Sequence, residues 1–446
     1  MKRNMKIFSN TLYVAAMVCF VWSLVSAVPC SGAGYGIYEW GARGNALGGA
    51  MVARADDPSA LAYNPAGITQ LPGDQFMVGI TAIMPDIDIN FRNAPAGSVD
   101  GRGKDNIWPI PNAFYTHQIN ETYWVGFGIY SRVGLGTEVK NEEQFAGRYN
   151  CSRAGIESLS FNPNLAVKIT DELSVAVGAE AVWLDFSYNK FTDVDGNPAT
   201  ATDIKQEISA DGWKYGFNLA LHYKPEDWLS IGASFRNEIS MGVDGEADFT
   251  RSSGAEAALA AMKASLVPAV KQMGTFLDAA LRDTGVGGTE PIPQLVSVGV
   301  MFTPVDRLSV EVDAVHTKWS SYKQLTMEYD NILGDRSSRK NWEDTWRFQI
   351  GLEYAFSDRL DLMAGYVFDE SPIVDEYVDY AVPANDRQIY SLGARLHTGR
   401  WTFDVSYSYL TVKDRDVSAR PAEGVLDSKF ENGNSHMIGF GVACAF

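Results

Sequence analysis

From residue 74 to the end of the chain, large apolar side chains recur at every second position. The last stretch is the cleanest: Ile438, Phe440, Val442, Cys444 and Phe446 alternate with Met437, Gly439, Gly441, Ala443 and Ala445, so one face is bulky and apolar and the other small. Trp401, Phe403, Val405, Tyr407 and Tyr409 alternate with Thr402, Asp404, Ser406 and Ser408. Trp346, Phe348, Ile350, Leu352, Tyr354 and Phe356 do the same against Arg347, Gln349, Gly351, Glu353 and Ala355. Period two marks strands, and aromatics at strand ends match the girdles of a barrel crossing a membrane. Short breaks at Asn120-Glu121, Thr170-Asp171-Glu172, Pro225-Glu226-Asp227, Pro304-Val305-Asp306, Ser357-Asp358 and Thr398-Gly399 alternate with longer polar connections. That alternation is expected of short periplasmic turns and long outer loops.

The pattern predicts strands at 74–92, 108–119, 121–139, 159–170, 172–190, 208–224, 227–249, 290–304, 306–327, 343–357, 358–370, 385–398, 400–414 and 431–446. These are fourteen, an even number, which closes without a free edge. The expected fold is therefore all-β: a fourteen-stranded antiparallel transmembrane β-barrel over residues 74–446. A soluble β-sandwich or propeller accounts for neither the outward aromatics nor the asymmetry of the connections.

Residues 33–73 have neither strand nor helix periodicity and are rich in Gly and Ala. Pro58 opens a short helical turn and Pro65 restricts Asn64 before it. A barrel of this width leaves a lumen to fill. The segment is expected to fold into it as an N-terminal hatch, the alternative being an ordinary loop. Ahead of it, Lys2, Arg3 and Lys6, an apolar run from Leu12 to Leu24 and then small residues have the order of a cleaved signal peptide over 1–32, with cleavage after Ala27 or Gly32. No later stretch is long and apolar enough for a spanning helix.

Charge and chemistry change the picture mainly by exclusion. A net charge of −18 argues against nucleic acid as a partner. Cys19 and Cys30 belong to the export segment, and Cys151 and Cys444 make neither a zinc site nor a disulfide framework. His117, His222, His316, His397 and His436 have no metal-ligand spacing, and no Gly-x-Ser-x-Gly elbow is present. No catalytic residue, metal or cofactor is expected.

The longest outer loop, about 250–289, carries Leu259, Met262, Leu266, Val270, Met273, Leu277 and Leu281 at three- and four-residue steps, interrupted by Pro268. Two short amphipathic helices follow from that spacing, with the stripe either packed on other loops or open to cargo. Gly126, Gly128, Gly134 and Gly136 crowd the third strand, where glycines mark bends, bulges or close backbone approach.

The opening Ala33-Gly34-Tyr35, the segment ADDPSALAYNPAGIT, the third strand VGFGIYSRVGLGTEV (125–139), FNPNLAVKITDELSVAVGAEAVW (161–183), AGYVFDESPI (364–373) and VPANDRQIYSLGA (382–394) together resemble the FadL/TodX family. That family comprises outer-membrane transporters for long-chain fatty acids and hydrophobic aromatic compounds. The resemblance implies a hatch-plugged barrel and capture of cargo by a greasy surface on the outer loops, here Leu259, Met262, Leu266, Met273 and Leu277. It also implies a kink in the third strand at Gly134, Leu135 and Gly136 that opens the wall sideways, with Asn64, Pro65 and Ala66 of the hatch against the gap. The outer loops themselves are not recognisably matched.

Counting outward from Pro225-Glu226-Asp227 places Lys214 and Arg236 opposite each other and facing inward. Like charges across a ladder repel unless an anion lies between them. That anion is either Glu238 or Glu180, or a fatty-acid carboxylate, with Arg347 as a third contributor. The expected function is uptake of hydrophobic compounds by capture, hatch rearrangement and lateral exit, by a monomeric barrel whose partners are outer-membrane lipids and small hydrophobic cargo. A diffusion porin, a barrel adhesin and an outer-membrane lipase are the alternatives.

Overall fold

The computed structural model describes residues 34–197 and 200–446; the expected signal peptide and Ala33 lie outside the described residues. Fourteen antiparallel strands form one closed barrel. In chain order they are β1 (Asp74–Phe91), β2 (Trp108–Gln118), β3 in two pieces (Tyr123–Tyr130 and Leu135–Glu138), β4 (Arg153–Lys168) and β5 (Leu173–Asp193). Then come β6 (Asp203–Glu226), β7 (Leu229–Arg236 and Ile239–Arg251), β8 (Thr284–Ile292 and Leu295–Val305) and β9 (Leu308–Thr317 and Gln324–Tyr329). The last five are β10 (Arg336–Arg339 and Thr345–Ser357), β11 (Leu360–Asp369), β12 (Arg387–Thr398), β13 (Trp401–Val412, resuming at Arg415–Val417) and β14 (Ser428–Ala445). Pairing of β1 with β14, from Gln75↔Ala445 to Phe91↔Ser428, closes the wall.

The polarity of the wall is inverted relative to a protein dissolved in water. Leu392 is 64% exposed while Asp404, on the neighbouring strand, is 1% exposed. Phe440, Val405 and Tyr407 face outward; Ser406, Ser408, Arg395 and Gln349 are buried on the lumen side. In water such an apolar band would have to be covered. In lipid it is the solvent-facing surface, and hydrogen bonding around the closed ring satisfies the backbone.

The strand boundaries differ from the periodic reading in two ways. β4, β6 and β8 begin at Arg153, Asp203 and Thr284, several residues earlier than expected, because the first two pair with the outer end of β5 and the third with that of β7. β7, β8 and β9 are also broken in mid-strand, at 237–238, 293–294 and 318–323. The expected turn at Pro225-Glu226-Asp227 lies further along: β6 runs to Glu226 through a bulge, and Glu226 pairs with Leu229. Asn218, not Lys214, therefore faces Arg236.

Nearly all of residues 34–71 are buried. Short helical pieces at Ala42–Ala46, Ala60–Tyr63 and Pro65–Gln70 break up the segment. Asn64 caps the last piece, its side-chain oxygen accepting from the Ala66 N–H at 3.1 Å with Pro65 in the first turn. Contacts run to lumen-facing groups all round the ring: Asn45 to Thr81 on β1, His222 on β6 to the Ala53 carbonyl, Arg43 to Glu353 on β10, and Asp57 to Arg395 on β12. Four consecutive backbone N–H groups, from Met51 to Arg54, donate to two carboxylates of β9. Asp313 Oδ2 accepts from Met51 and Val52 at 3.1 Å each, and Glu311 accepts from Ala53 at 2.6 Å and Arg54 at 3.0 Å.

Between β7 and β8 lie the helices α1 (Ser253–Ala264) and α2 (Pro268–Ala280), as the spacing predicts. Ser252 caps α1 by accepting from Ala255, and Pro268 opens α2. The helices approach so closely at Gly274 that a Cβ there would sit 2.6 Å from that of Met262. Asp278 holds them together, contacting Lys263 (2.7 Å), Arg251 (2.6 Å) and Arg282 (3.2 Å). Hydrogen bonds from Lys263 and Arg251 hold its carboxyl well below the usual carboxylate range. A carboxylate depressed in the folded state contributes stability that is complete above its unfolded value, 3.8, and is lost as pH falls through the folded value. Protection of the amides across 253–280, relative to their intrinsic exchange at each pH, should therefore hold down to about pH 4 and fall only below it. In Asp278→Asn it should be low already at pH 7.

Candidate functional site: a window in the wall

β3 leaves the wall in mid-strand. Residues up to Tyr130 pair with β4 as far as Tyr130↔Ser160, and pairing resumes at Leu135↔Ile156. On the other flank, β3 pairs with β2 only up to Ala113↔Ile129, although β2 continues to Trp108 alongside β1. Lys104 and Gly103, from the loop after β1, rejoin β3 further out by hydrogen bonding to Glu138 and bridging to Val139. The missing rungs thus form a bounded opening between β2 and β3.

Inside the opening, the backbone released by β3 is taken up by the N-terminal segment. Ile37 N–H donates to the Arg132 carbonyl at 3.0 Å, Gly134 N–H to the Tyr35 carbonyl at 2.9 Å, and the Trp40 indole to the Ser131 carbonyl at 2.6 Å. A Cβ on Gly134 would lie 2.3 Å from Ile37, and one on Gly136 2.4 Å from the Trp108 indole, so glycine here is what lets these neighbours approach. Trp108 Nε1 is buried without a partner.

A cavity of about 650 Å³ occupies the opening. Val133, Ile156, Ser158 and Met437 line it from the lumen, and Leu159, Trp183 and the exposed Ile80 from the membrane face. Successive residues of a strand face opposite sides, so one cavity lined by both Ser158 and Leu159 passes through the wall. Its wall is largely apolar, with charged side chains at Glu39, Asp86, Lys104, Glu138, Glu157 and Arg387.

Of the residues expected to form the site, Gly134, Leu135 and Gly136 do border the opening. Asn64, Pro65 and Ala66 do not: Asn64 Nδ2 donates to the Val52 carbonyl (2.7 Å) and the Leu221 carbonyl of β6 (2.9 Å), and Tyr35 to Trp40 lie at the opening instead. The pairing of Lys214 with Arg236 is also corrected. Arg236 is buried and committed to the segment and the wall, donating to the Leu61 and Ala62 carbonyls at 2.9 Å each, lying 3.8 Å from Glu180 and stacking on Tyr130. Glu180 is therefore its anion. Lys214 lies opposite Val182 of β5 and is exposed.

Arg347 is buried against the Tyr38 ring and donates to Asp369 at 2.8 Å. Arg387, which the periodic reading did not single out, donates to the same carboxylate at 2.9 Å and has a buried Nε without a partner among the described residues. In the loop helices the proposed capture stripe divides. Leu259 is buried, and Met262 and Leu277 pack against the core, leaving Leu266 and Met273 exposed beside Val267, Val270 and Phe276. The stripe's inner half is consumed by helix-to-barrel packing, which the spacing alone does not distinguish from an open surface.

Residues 23–446 match the family model described as outer membrane protein transport protein (OMPP1/FadL/TodX). The long-chain fatty acid transport protein of Salmonella typhi is 24% identical, with 94% of this chain and 97% of that one aligned. Outer membrane protein P1 of Haemophilus influenzae is 22% identical over 95% and 94%. Among solved structures, a Pseudomonas aeruginosa FadL homologue superposes with a TM-score of 0.79 at 20% identity, covering 92% of this chain and 98% of that one. The Pseudomonas putida toluene transporter TodX gives 0.69 at 17% identity, covering 92% and 99%. The chain belongs to the OMPP1/FadL/TodX family of outer-membrane transport proteins.

Proposed function

We propose that this outer-membrane transporter takes up long-chain fatty acids or similarly sized hydrophobic molecules and releases them sideways through the opening between β2 and β3. The observation that carries the reading is the cavity of about 650 Å³ lined by both faces of the wall. An apolar solute leaving by that route enters the membrane without crossing water, whereas a diffusion porin needs a continuous aqueous bore. Residues 33–73 act as the hatch, since their contacts with the wall occupy the axial path. Leu266 and Met273, on the exposed tip of the helical loop, offer a first apolar landing surface. The closed ring with its apolar band needs no second copy to satisfy an edge, so a monomer surrounded by lipid is the working unit.

Arg387 is the group we assign to a cargo carboxylate, in place of Lys214 and Arg236. It borders the cavity, shares Asp369 with Arg347 and keeps an unpartnered Nε. Cells carrying Arg387→Gln should take up a labelled long-chain acid roughly tenfold more slowly, the loss of one charge-assisted contact. Uptake of a neutral aromatic hydrocarbon should be unchanged. Equal loss for both would make Arg387 purely structural, and no loss for the acid would remove it from the path.

A further inference from the structure

Side chains tie the window to the outer half of the barrel: the Tyr35 hydroxyl donates to the Pro291 carbonyl at 2.7 Å, and Arg132 spans the breaks themselves. β7 and β8 both break at the same level, and each break reverses which residues face inward. In β7, Ser230, Ser234 and Arg236 are buried before the break, and Ile239, Met241 and Val243 after it. In β8, Val286, Glu290 and Ile292 are buried on the outer side, Leu295 and Ser297 on the inner. Across the first break the ladder between β6 and β7 is interrupted, with no paired residues from Gly212 to Phe217. The outer pieces of β7, β8 and β9 pair with one another and carry α1 and α2. They form an outer lobe that shares one apolar cluster with Tyr35 and Val133 of the window, pairs with β6 from Asp244 to Arg251, and joins the membrane-spanning pieces of β7 and β8 through the two breaks, which are local bends in the strands.

Arg132, in the middle of the β3 break, reaches that line. Its side chain is 4% exposed. Nη1 donates to Glu180 of β5 at 2.9 Å, and Nη2 donates to the Pro293 carbonyl at 3.1 Å and the Asn237 carbonyl at 3.5 Å, one from each break. Its own carbonyl accepts from Ile37 at the window. A planar guanidinium is suited to this because its donors are fixed in a fork, which a lysine cannot reproduce. A displacement of the lobe at Asn237 and Pro293 must either break two buried hydrogen bonds or draw Arg132, and with it Val133 and Gly134, along.

We propose that Arg132 is a positioning residue for transport, which transmits movement of the outer lobe, when cargo lands there, to the window in β3. This rests on the window reading above. The test uses the full barrel in nanodiscs with spin labels at Pro111→Cys and Thr137→Cys, on either side of the opening, the buried Cys151 and Cys444 being replaced by alanine. Lauric acid is the probe, and its binding is measured in parallel by calorimetry.

In the otherwise unchanged protein, lauric acid should shift the distance distribution between the labels. In Arg132→Met the shift should vanish and uptake fall about tenfold, while lauric acid still binds. Arg132→Lys, which keeps a cation beside Glu180, should assemble even if the methionine variant does not, and should likewise lose the shift. A persisting shift in either assembled variant overturns the proposal while leaving the window reading intact. Absence of any shift in the unchanged protein overturns both, since there is then no motion for Arg132 to transmit.

Discussion

Replacing Glu311 and Asp313 together by alanine will leave the barrel assembled and free the segment inside it. The two carboxylates accept four backbone N–H groups, from Met51 to Arg54, all in a dry interior. Each such hydrogen bond contributes about 1 kcal/mol, and stranding its buried donor adds about 1–3 kcal/mol. Arg54 also loses its contact with Glu311 and keeps only Glu353 and Ser309. The total, on the order of 5 kcal/mol or more, exceeds what the remaining contacts of that stretch replace. The expected readouts are a steady ion current across planar bilayers, near zero in the unchanged protein, and cleavage by trypsin after Arg54 in the folded barrel. A silent bilayer together with a protected Arg54 would show that the latch lies elsewhere. Glu311→Gln with Asp313→Asn keeps acceptor oxygens and should give an intermediate current.

Filling the window from the wall side should abolish transport without touching the latch. In Gly136→Leu the new side chain starts 2.4 Å from the Trp108 indole and must either displace it or occupy the cavity. A leucine that leaves the Trp108 indole in place fills the cavity and narrows the opening. Uptake of hydrophobic cargo should drop by at least tenfold, with unchanged heat-modifiable migration of the barrel on gels and no gain in ion current. Gly134→Leu, which meets Ile37 rather than Trp108, should by contrast disturb the N-terminal segment and raise the current. Normal uptake by an assembled Gly136→Leu variant would exclude lateral release at this place.

The barrel was legible because its determinants are local. Alternation in β10, β13 and β14 reports which neighbour is lipid, and the turn at Thr398-Gly399 correctly sets Arg395 opposite Asp404, where they meet at 2.6 Å. What the alternation did not reveal are the places where a strand changes face. The breaks at Asn237-Glu238 and Pro293-Gln294 are two-residue events with no apolar signature, and a shift of the β6 to β7 turn by two positions was enough to separate Lys214 from Arg236. The contacts of Asn64 were hidden for a different reason. The one that reaches the wall links residues 157 positions apart, and nothing in the local sequence says which wall a buried amide will meet. Glu311 and Asp313 left a usable mark: two acids on the lumen face of an otherwise apolar strand, where unpartnered carboxylates are not tolerated.

The latch on β9 grips its guest chiefly through the main chain, the Arg54 side chain adding one ionic contact to Glu311 at 3.5 Å. Met51, Val52, Ala53 and Arg54 are held through N–H groups that every amino acid except proline supplies. Two positions on the wall therefore carry an obligation that the four facing them do not share. A library randomising 51–53 should tolerate most residues of similar volume and reject proline throughout, whereas one randomising 311 and 313 should return almost nothing but acids and their amides.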